Sequence, residues 1–183
     1  NIKMVKTKMM EPPLPFDSKF GNQIKEIYGT LPNELGVLLG GIGGCSPYLY
    51  DLLIEHEDWL TKRLSTKNLD IIGEITTDLD NSSDLHKTLR ISKSKIALWT
   101  AVCDLGGFWN LDKVMQTLTE FADLAIQRSM EFEFSNNSRF KKIVKVNKQI
   151  ENSGWFVLAM GKMGAFELNY SSAIDLIFLF DES

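Results

Sequence analysis

Cysteine is nearly absent from this chain. Cys45 and Cys103 are the only two, far apart and in no CxxC pair. That excludes a disulfide-stapled domain and a cysteine metal cluster, and two buried free thiols in a reducing compartment are expected. Histidine is equally scarce, and His56 and His86 have no ligand set arranged around them. Long apolar runs are missing too. The most apolar stretch, Leu35 to Cys45, is short and half glycine, whereas a membrane helix needs about 20 apolar residues. The basic start, Asn-Ile-Lys-Met-Val-Lys-Thr-Lys, has no apolar run behind it, so no signal peptide is expected. Excess positive charge is also lacking: the net charge is −4, which does not describe a nucleic-acid-binding surface. A soluble cytoplasmic protein, with no membrane and no nucleic acid among its partners, is the expectation.

What is present is an ordinary globular mixture. The 183 residues are 44% hydrophobic and 24% charged, enough for one domain or one and a half. Pro12, Pro13, Pro15 and Pro32 punctuate residues 1–34, and proline lacks the amide proton that regular structure uses. That segment reads as an irregular leading arm packed on a helical body. Gly40, Gly41, Gly43 and Gly44 follow. They end in no Gly-Lys-Ser/Thr and do not match GxGxxG, so a tight structural turn is expected, with a ligand loop as the alternative.

Helical periodicity then dominates. Ser46 reads as an N-cap with Pro47 at the first helical position, and Leu49, Leu52, Leu53, Trp59, Leu60 and Leu64 predict one amphipathic helix over 47–64. A short helix over 69–79 follows. Ser83 is a candidate cap for a third helix running to about Leu105, with Leu85, Leu89, Ile96, Trp99 and Cys103 inward and Gly106-Gly107 as its stop. On another face Lys87, Arg90 and Lys93 form a stripe that reads as solvated, or alternatively as a contact for phosphate or an acidic partner. Asn110 and Asp112 open a fourth helix ending near Phe132, with Leu111, Val114, Met115, Leu118, Phe121, Ala122 and Ala125 inside. Such stripes bury themselves against one another, which implies a bundle. Residues 134–154, with Arg139, Lys141, Lys142, Lys145 and Lys148 among polar residues, read as a basic linker or an exposed helix face.

The pattern changes at Trp155. Residues 155–160 are continuously apolar and read as a buried strand. Gly161-Lys162-Met163-Gly164 breaks it, a turn leads to Tyr170-Ser171-Ser172, and residues 174–180 form a second apolar strand bearing Asp175 near its start. A carboxylate at the head of a buried strand is costly unless paired, hydrogen-bonded or metal-bound. A strand, a glycine turn and a second strand with an acid suit metal-assisted nucleotide chemistry. Glycines let backbone approach phosphate, serine hydroxyls donate to its oxygens, and carboxylates hold Mg²⁺. The plain alternative is a β-hairpin with a strand-end aspartate.

Residues 157–178, Val-Leu-Ala-Met-Gly-Lys-Met-Gly-Ala-Phe-Glu-Leu-Asn-Tyr-Ser-Ser-Ala-Ile-Asp-Leu-Ile-Phe, resemble the signature of the glutamine-synthetase adenylyltransferase/adenylyl-removing enzymes. Ser46-Pro-Tyr-Leu, His56-Glu-Asp-Trp59-Leu and the Leu89-Arg90 to Asp104-Leu-Gly helix resemble that family's N-terminal helical region. The resemblance implies an α+β chain: an arm and bundle over 1–133, a linker over 134–154, and over 155–183 the start of a nucleotidyltransferase domain with a DNA-polymerase-β-like mixed sheet. The N-terminal setting implies the adenylyl-removing domain, which uses phosphate to take AMP off a synthetase tyrosine as ADP. A second, ATP-using domain would add AMP. Glutamine synthetase, a PII-type signalling protein, nucleotide and phosphate are the implied partners, and Mg²⁺ the implied cofactor. Gly161, Lys162, Gly164, Ser171 and Ser172 would line the phosphate side, and Asp175 would hold the metal. The family pattern has aspartate at position 173, and two acids one residue apart on a strand share a face. This chain has Ala173 there. With that alanine, and with the chain stopping inside the domain, an inactive fragment is expected. The alternatives are a non-catalytic segment that binds the synthetase or a signalling protein, and another nucleotidyltransferase of the same fold.

Overall fold

The computed structural model describes residues 9–66, 70–137 and 154–180. Helices come first and a single strand pair last, which makes the fold α+β. The leading arm, residues 9–17, lies on the helical body. The Met10 amide donates to the Gly106 carbonyl at 3.1 Å and the Asp17 amide to the Gly44 carbonyl at 2.8 Å. The segment up to residue 34 is not irregular throughout, as α1 occupies Ser18–Ile27. Its start is fixed locally, because Asp17 Oδ1 accepts from the amides of Lys19 and Phe20 at 2.9 and 3.2 Å. The prolines lie outside the helix and so do not disrupt it.

The glycine cluster does not form a turn. It lies inside α2, Asn33–Cys45, a helix whose residues from Leu38 to Gly44 are all buried. Each interior glycine costs a helix about 1 kcal/mol relative to alanine, so close approach must offset it. A Cβ on Gly41 would sit 2.0 Å from the Pro13 carbonyl oxygen, and one on Gly44 would sit 2.3 Å from Pro15 Cβ. Gly41 and Gly44 therefore form the groove in which the proline arm lies, while Gly40 and Gly43 let α1 approach, with Lys25 and Gly21 facing the one and Ile24 the other.

The helix expected over 47–64 is two helices, α3 over Pro47–Glu55 and α4 over Glu57–Ser65, broken at His56. Ser46 caps α3 as expected, its Oγ accepting from the Leu49 amide at 3.2 Å. Helix α5 spans Ile71–Asp80 with Asp70 as its cap. Helix α6 spans Leu85–Leu105, and Asp84, not Ser83, caps it. Gly106 follows, and Gly107, at φ +69°, takes the left-handed conformation that ends the helix. Asn110 caps α7, which runs over Leu111–Asn136 and so enters the stretch expected to be linker. The five basic residues of that stretch lie outside the described residues. Leu111, expected inside, is 66% exposed.

One core joins α1 to α7. Trp99 is fully buried, with Leu35, Leu38, Leu53, Leu60 and Ile75 around it in the same cluster. The Arg63 guanidinium lies 4.4 Å from the Trp99 ring and pairs with Glu74, which also accepts from Trp59 Nε1 at 2.6 Å. That cation–π and ion-pair set ties α4, α5 and α6 together. Cys103 is buried in this core, where desolvation pushes its thiol pKa up, whereas Cys45 is exposed, against expectation.

The strand pair consists of β1, Trp155–Met160, and β2, Asp175–Phe180, antiparallel, with Trp155 opposite Phe180 and Met160 opposite Asp175. A four-residue helix, α8, Gly161–Gly164, follows β1. The continuous apolar runs predicted strands buried on both faces. Burial along β1 instead alternates, with Trp155, Val157 and Ala159 half-buried and Phe156, Leu158 and Met160 exposed. Helix α7 faces the inner side across a cavity of about 300 Å³ lined by Asp123, Ile126, Met130, Val157 and Leu176. Among the described residues nothing covers the other side.

Candidate functional site

The sequence-derived site is a local structure, closed by the β1–β2 pairing. Because Met160 pairs with Asp175, the residue after β1 meets the carboxylate that begins β2. That residue is Gly161, at φ +57°, and a Cβ built on it would lie 3.9 Å from Asp175 Oδ2. The chain thus reverses direction beside the carboxylate in a conformation that L side chains rarely adopt. Gly164 has a packing role, since a Cβ there would sit 2.3 Å from the Ala159 carbonyl oxygen. Met163 and Leu168 are buried and anchor the turn, and the Glu167 amide donates to the Lys162 carbonyl at 2.7 Å. Lys162 and Asp175 are exposed.

Ser171 and Ser172 lie on the loop between α8 and β2 and are occupied. The Ser172 hydroxyl donates to Asn169 Oδ1 at 2.8 Å, and the Ser171 hydroxyl reaches the same oxygen at 3.4 Å. The Ser171 amide also donates to it at 3.2 Å, and Ser172 Oγ accepts from the Asn169 amide at 3.0 Å. This is an Asx-type turn in which Asn169 organises both serines. A hydroxyl has one proton, so donation to phosphate from either serine requires it to leave Asn169. Beside them the Tyr170 hydroxyl donates to Asp104 Oδ2 at 3.1 Å, tying the loop to the end of α6. Burial, then the Asp104 charge, pushes the Tyr170 hydroxyl pKa up, so it stays a donor. Neither Asn169 nor Tyr170 was singled out from the sequence. An asparagine two and three residues before serines is a readable turn signal, but a partner in α6 is not.

The segment 172–174 precedes β2 and is not strand. Strand alternation therefore does not align positions 173 and 175 here. Ala173 lines a cavity against α6 and α7, and Asp175 is not part of that lining. Among the described residues no group of three or more His, Cys, Asp or Glu is placed to hold a metal ion. One exposed carboxylate does not fit a resident Mg²⁺. What the arrangement offers is an exposed glycine turn, an exposed ammonium at Lys162 and a single carboxylate, all at one end of a strand pair. No helix of the described residues is long and apolar enough to cross a membrane.

Comparison with known proteins places this geometry. A relative from Rhodopseudomonas palustris strain HaA2, named bifunctional glutamine synthetase adenylyltransferase/adenylyl-removing enzyme, is 35% identical over 167 residues. The match covers 86% of this chain but 17% of the relative. Relatives of the same name from Bradyrhizobium sp. strain BTAi1 and Nitrosomonas eutropha are 35% and 37% identical over 79% and 62% of the chain, which is 16% and 12% of their own lengths. The chain thus spans about a sixth of the first of these relatives, by the 17% coverage. No solved structure matches. The family model described as glutamate-ammonia ligase adenylyltransferase matches residues 38–183, which takes in most of α2, helices α3 to α7, the strand pair and the turn between them, and the chain belongs to that family.

Proposed function

We propose that the protein carrying this chain regulates glutamine synthetase by nucleotidyl transfer, and that residues 155–183 open its adenylyl-removing domain, a polymerase-β-like mixed sheet preceded by a helical body over 1–133. In that reaction a phosphate oxygen attacks the phosphorus of AMP-tyrosine, the bond from phosphorus to the tyrosine oxygen breaks, the tyrosine regains its proton and ADP leaves. Such transfer depends on positioning and charge stabilisation. The Gly161 turn gives phosphate oxygens access to backbone, Lys162 supplies a positive charge, and Ser171 and Ser172 donate once released from Asn169. Gly164 keeps α8 seated under the turn. A PII-type protein as effector and a cytoplasmic setting belong to the same reading.

The observation that carries it is the placement of Gly161 directly beside Asp175. With Ala173 and one carboxylate, the domain is expected to be catalytically silent as it stands. The test measures phosphate-dependent ADP release from adenylylated glutamine synthetase, with and without Mg²⁺, by the whole protein that carries this sequence. Ala173→Asp should raise release from background to a Mg²⁺-dependent rate, with the 172–174 segment, which is not strand here, extending β2 so that both acids share one face. Equal activity of the two forms would sink the assignment of position 173. A second reading, a non-catalytic segment that binds the synthetase, is favoured by the same lone carboxylate. It expects the Ala173 form to retain adenylylated synthetase on a resin without releasing ADP.

A further inference from the structure

A cavity of about 350 Å³ lies between α3, α6, α7 and the 168–174 loop, with neither the glycine turn nor Asp175 in its lining. We propose that it binds a small amphipathic monocarboxylate, with an aromatic or branched apolar body and one anionic group. Its volume falls in the range of small-molecule sites. The hollow exists because Ala97, Ala122, Ala125 and Ala173 face it from three directions, and longer side chains at these positions would fill it. Its floor is core: Ile96, Phe121 and Leu168 line it and are themselves buried. An apolar ring or branched chain seated there leaves water for a closely packed surface.

The polar side of the cavity selects the charge. Among the described residues Lys93 is the one charged side chain on its lining, no carboxylate lines it, and Lys93 makes no ion pair. Lys93 belongs to the basic stripe read from the sequence as solvated or as a contact for an acidic group. The stripe divides, because Lys87 lines a separate open groove with Asp78 and Asp84. The loop's own polar groups are engaged: Asn169 holds Ser171 and Ser172, and Tyr170 holds Asp104. Tyr48, 57% exposed at the rim, has no hydrogen-bond partner among the described residues and supplies a second donor for the anion. One cation over an apolar floor suits one negative charge. A nucleotide polyphosphate would leave charge buried without a partner, which separates this site from the nucleotide chemistry proposed above. An occupant would also brace the loop that leads into Asp175 against the helical body.

Phenylacetate is a suitable probe, titrated into the full chain labelled with ¹³C at alanine methyl groups. The methyls of Ala97, Ala122, Ala125 and Ala173 should shift together and saturate, with a dissociation constant on the order of 1 mM for so small a ligand. Those of Ala101, Ala159 and Ala165, which do not line the cavity, should stay in place and serve as internal controls. Lys93→Gln, an exposed substitution, should weaken phenylacetate about ten-fold while leaving neutral phenylacetamide unchanged. Ala122→Leu should abolish binding of both. Shifts that never saturate, that move all seven methyls alike, or that ignore Lys93→Gln would overturn the proposal.

Discussion

The helical body and the strand–turn–strand segment are both rich in apolar residues, and they use them in opposite ways. In the body, Leu35, Leu38, Leu53, Leu60, Leu64 and Trp99 are fully buried. In the strand pair, Phe156, Phe178 and Phe180 are each at least half exposed, at 50%, 52% and 54%. Among the described residues only one sheet face has a helix against it, and the α7 side still holds a cavity. Stability therefore resides in the body, while the turn with chemical potential sits on an element that contributes little to the shared core. A two-stranded pair is marginal by itself, and here α7, the buried Met163 and Leu168 and the Tyr170–Asp104 hydrogen bond support it.

Single truncations should break or sharpen that contrast most strongly. Trp99→Ala should cost about 3–5 kcal/mol, the usual range for a fully buried large aromatic, and it also removes the ring that the Arg63 guanidinium faces. Ile177→Ala, at a side chain that is 42% exposed, should cost less than about 1 kcal/mol. Urea denaturation of both variants measures the difference, and comparable losses would show that the strand pair belongs to the main core. Native-state hydrogen exchange reads the same contrast without mutation. Amides of α2 and the C-terminal half of α6 should exchange on the order of 100-fold more slowly than those of β1 and β2, because local opening suffices for the strands.

The glycine groove gives a smaller, sharper effect. Gly41→Ala gains helix propensity worth about 1 kcal/mol, yet its Cβ would meet the Pro13 carbonyl oxygen at 2.0 Å. Overpacking costs about 1–3 kcal/mol, so the net change should be destabilising, with the arm displaced from α2. A stabilised variant would mean that the arm does not occupy the groove.

The smallest effect expected is pH-dependent. His56 is 7% exposed and its Nε2 lies 2.6 Å from Ser94 Oγ. Burial, opposed by Glu55 and aided by Lys95, lowers its pKa below the ordinary 6.5. The unfolded chain therefore binds the proton more readily. The stabilising contribution is complete above about pH 6.5 and declines as the pH falls through the lowered value. Urea midpoints at pH 7.5 and 5.5 should differ, and His56→Gln should flatten that part of the profile.

What could be read from the sequence follows from how far each signal reaches. Ser46-Pro47 and Asn110 mark helix starts because a cap is a local hydrogen bond, and Gly106-Gly107 marks a stop because only backbone conformation is at stake. The Gly161–Asp175 placement was also within reach, since a strand, a turn and a strand close on themselves. The role of Gly40 to Gly44 is not legible locally because it depends on Pro13 and Pro15 for Gly41 and Gly44 and on Gly21, Ile24 and Lys25 of α1 for Gly40 and Gly43, all distant in sequence. Helix α1 was hidden by flanking prolines that turn out to lie outside it. The half-exposed strands were misread because a continuous apolar run looks the same whether one face or both are covered. The Tyr170–Asp104 hydrogen bond spans 66 residues, and no local pattern announces it.

The central claim, that the turn beside Asp175 is a nucleotidyl-transfer site, is tested most directly by removing that carboxylate where activity can be seen. In the whole protein carrying Ala173→Asp, phosphate-dependent ADP release from adenylylated glutamine synthetase is measured before and after Asp175→Asn, with circular dichroism as the folding control. The account expects release to fall to background, a loss of at least about 100-fold as for removal of a directly participating charged group, with the helical signal unchanged. Release that persists in the Asn variant would contradict it and leave Asp175 an ordinary acid at the start of a strand.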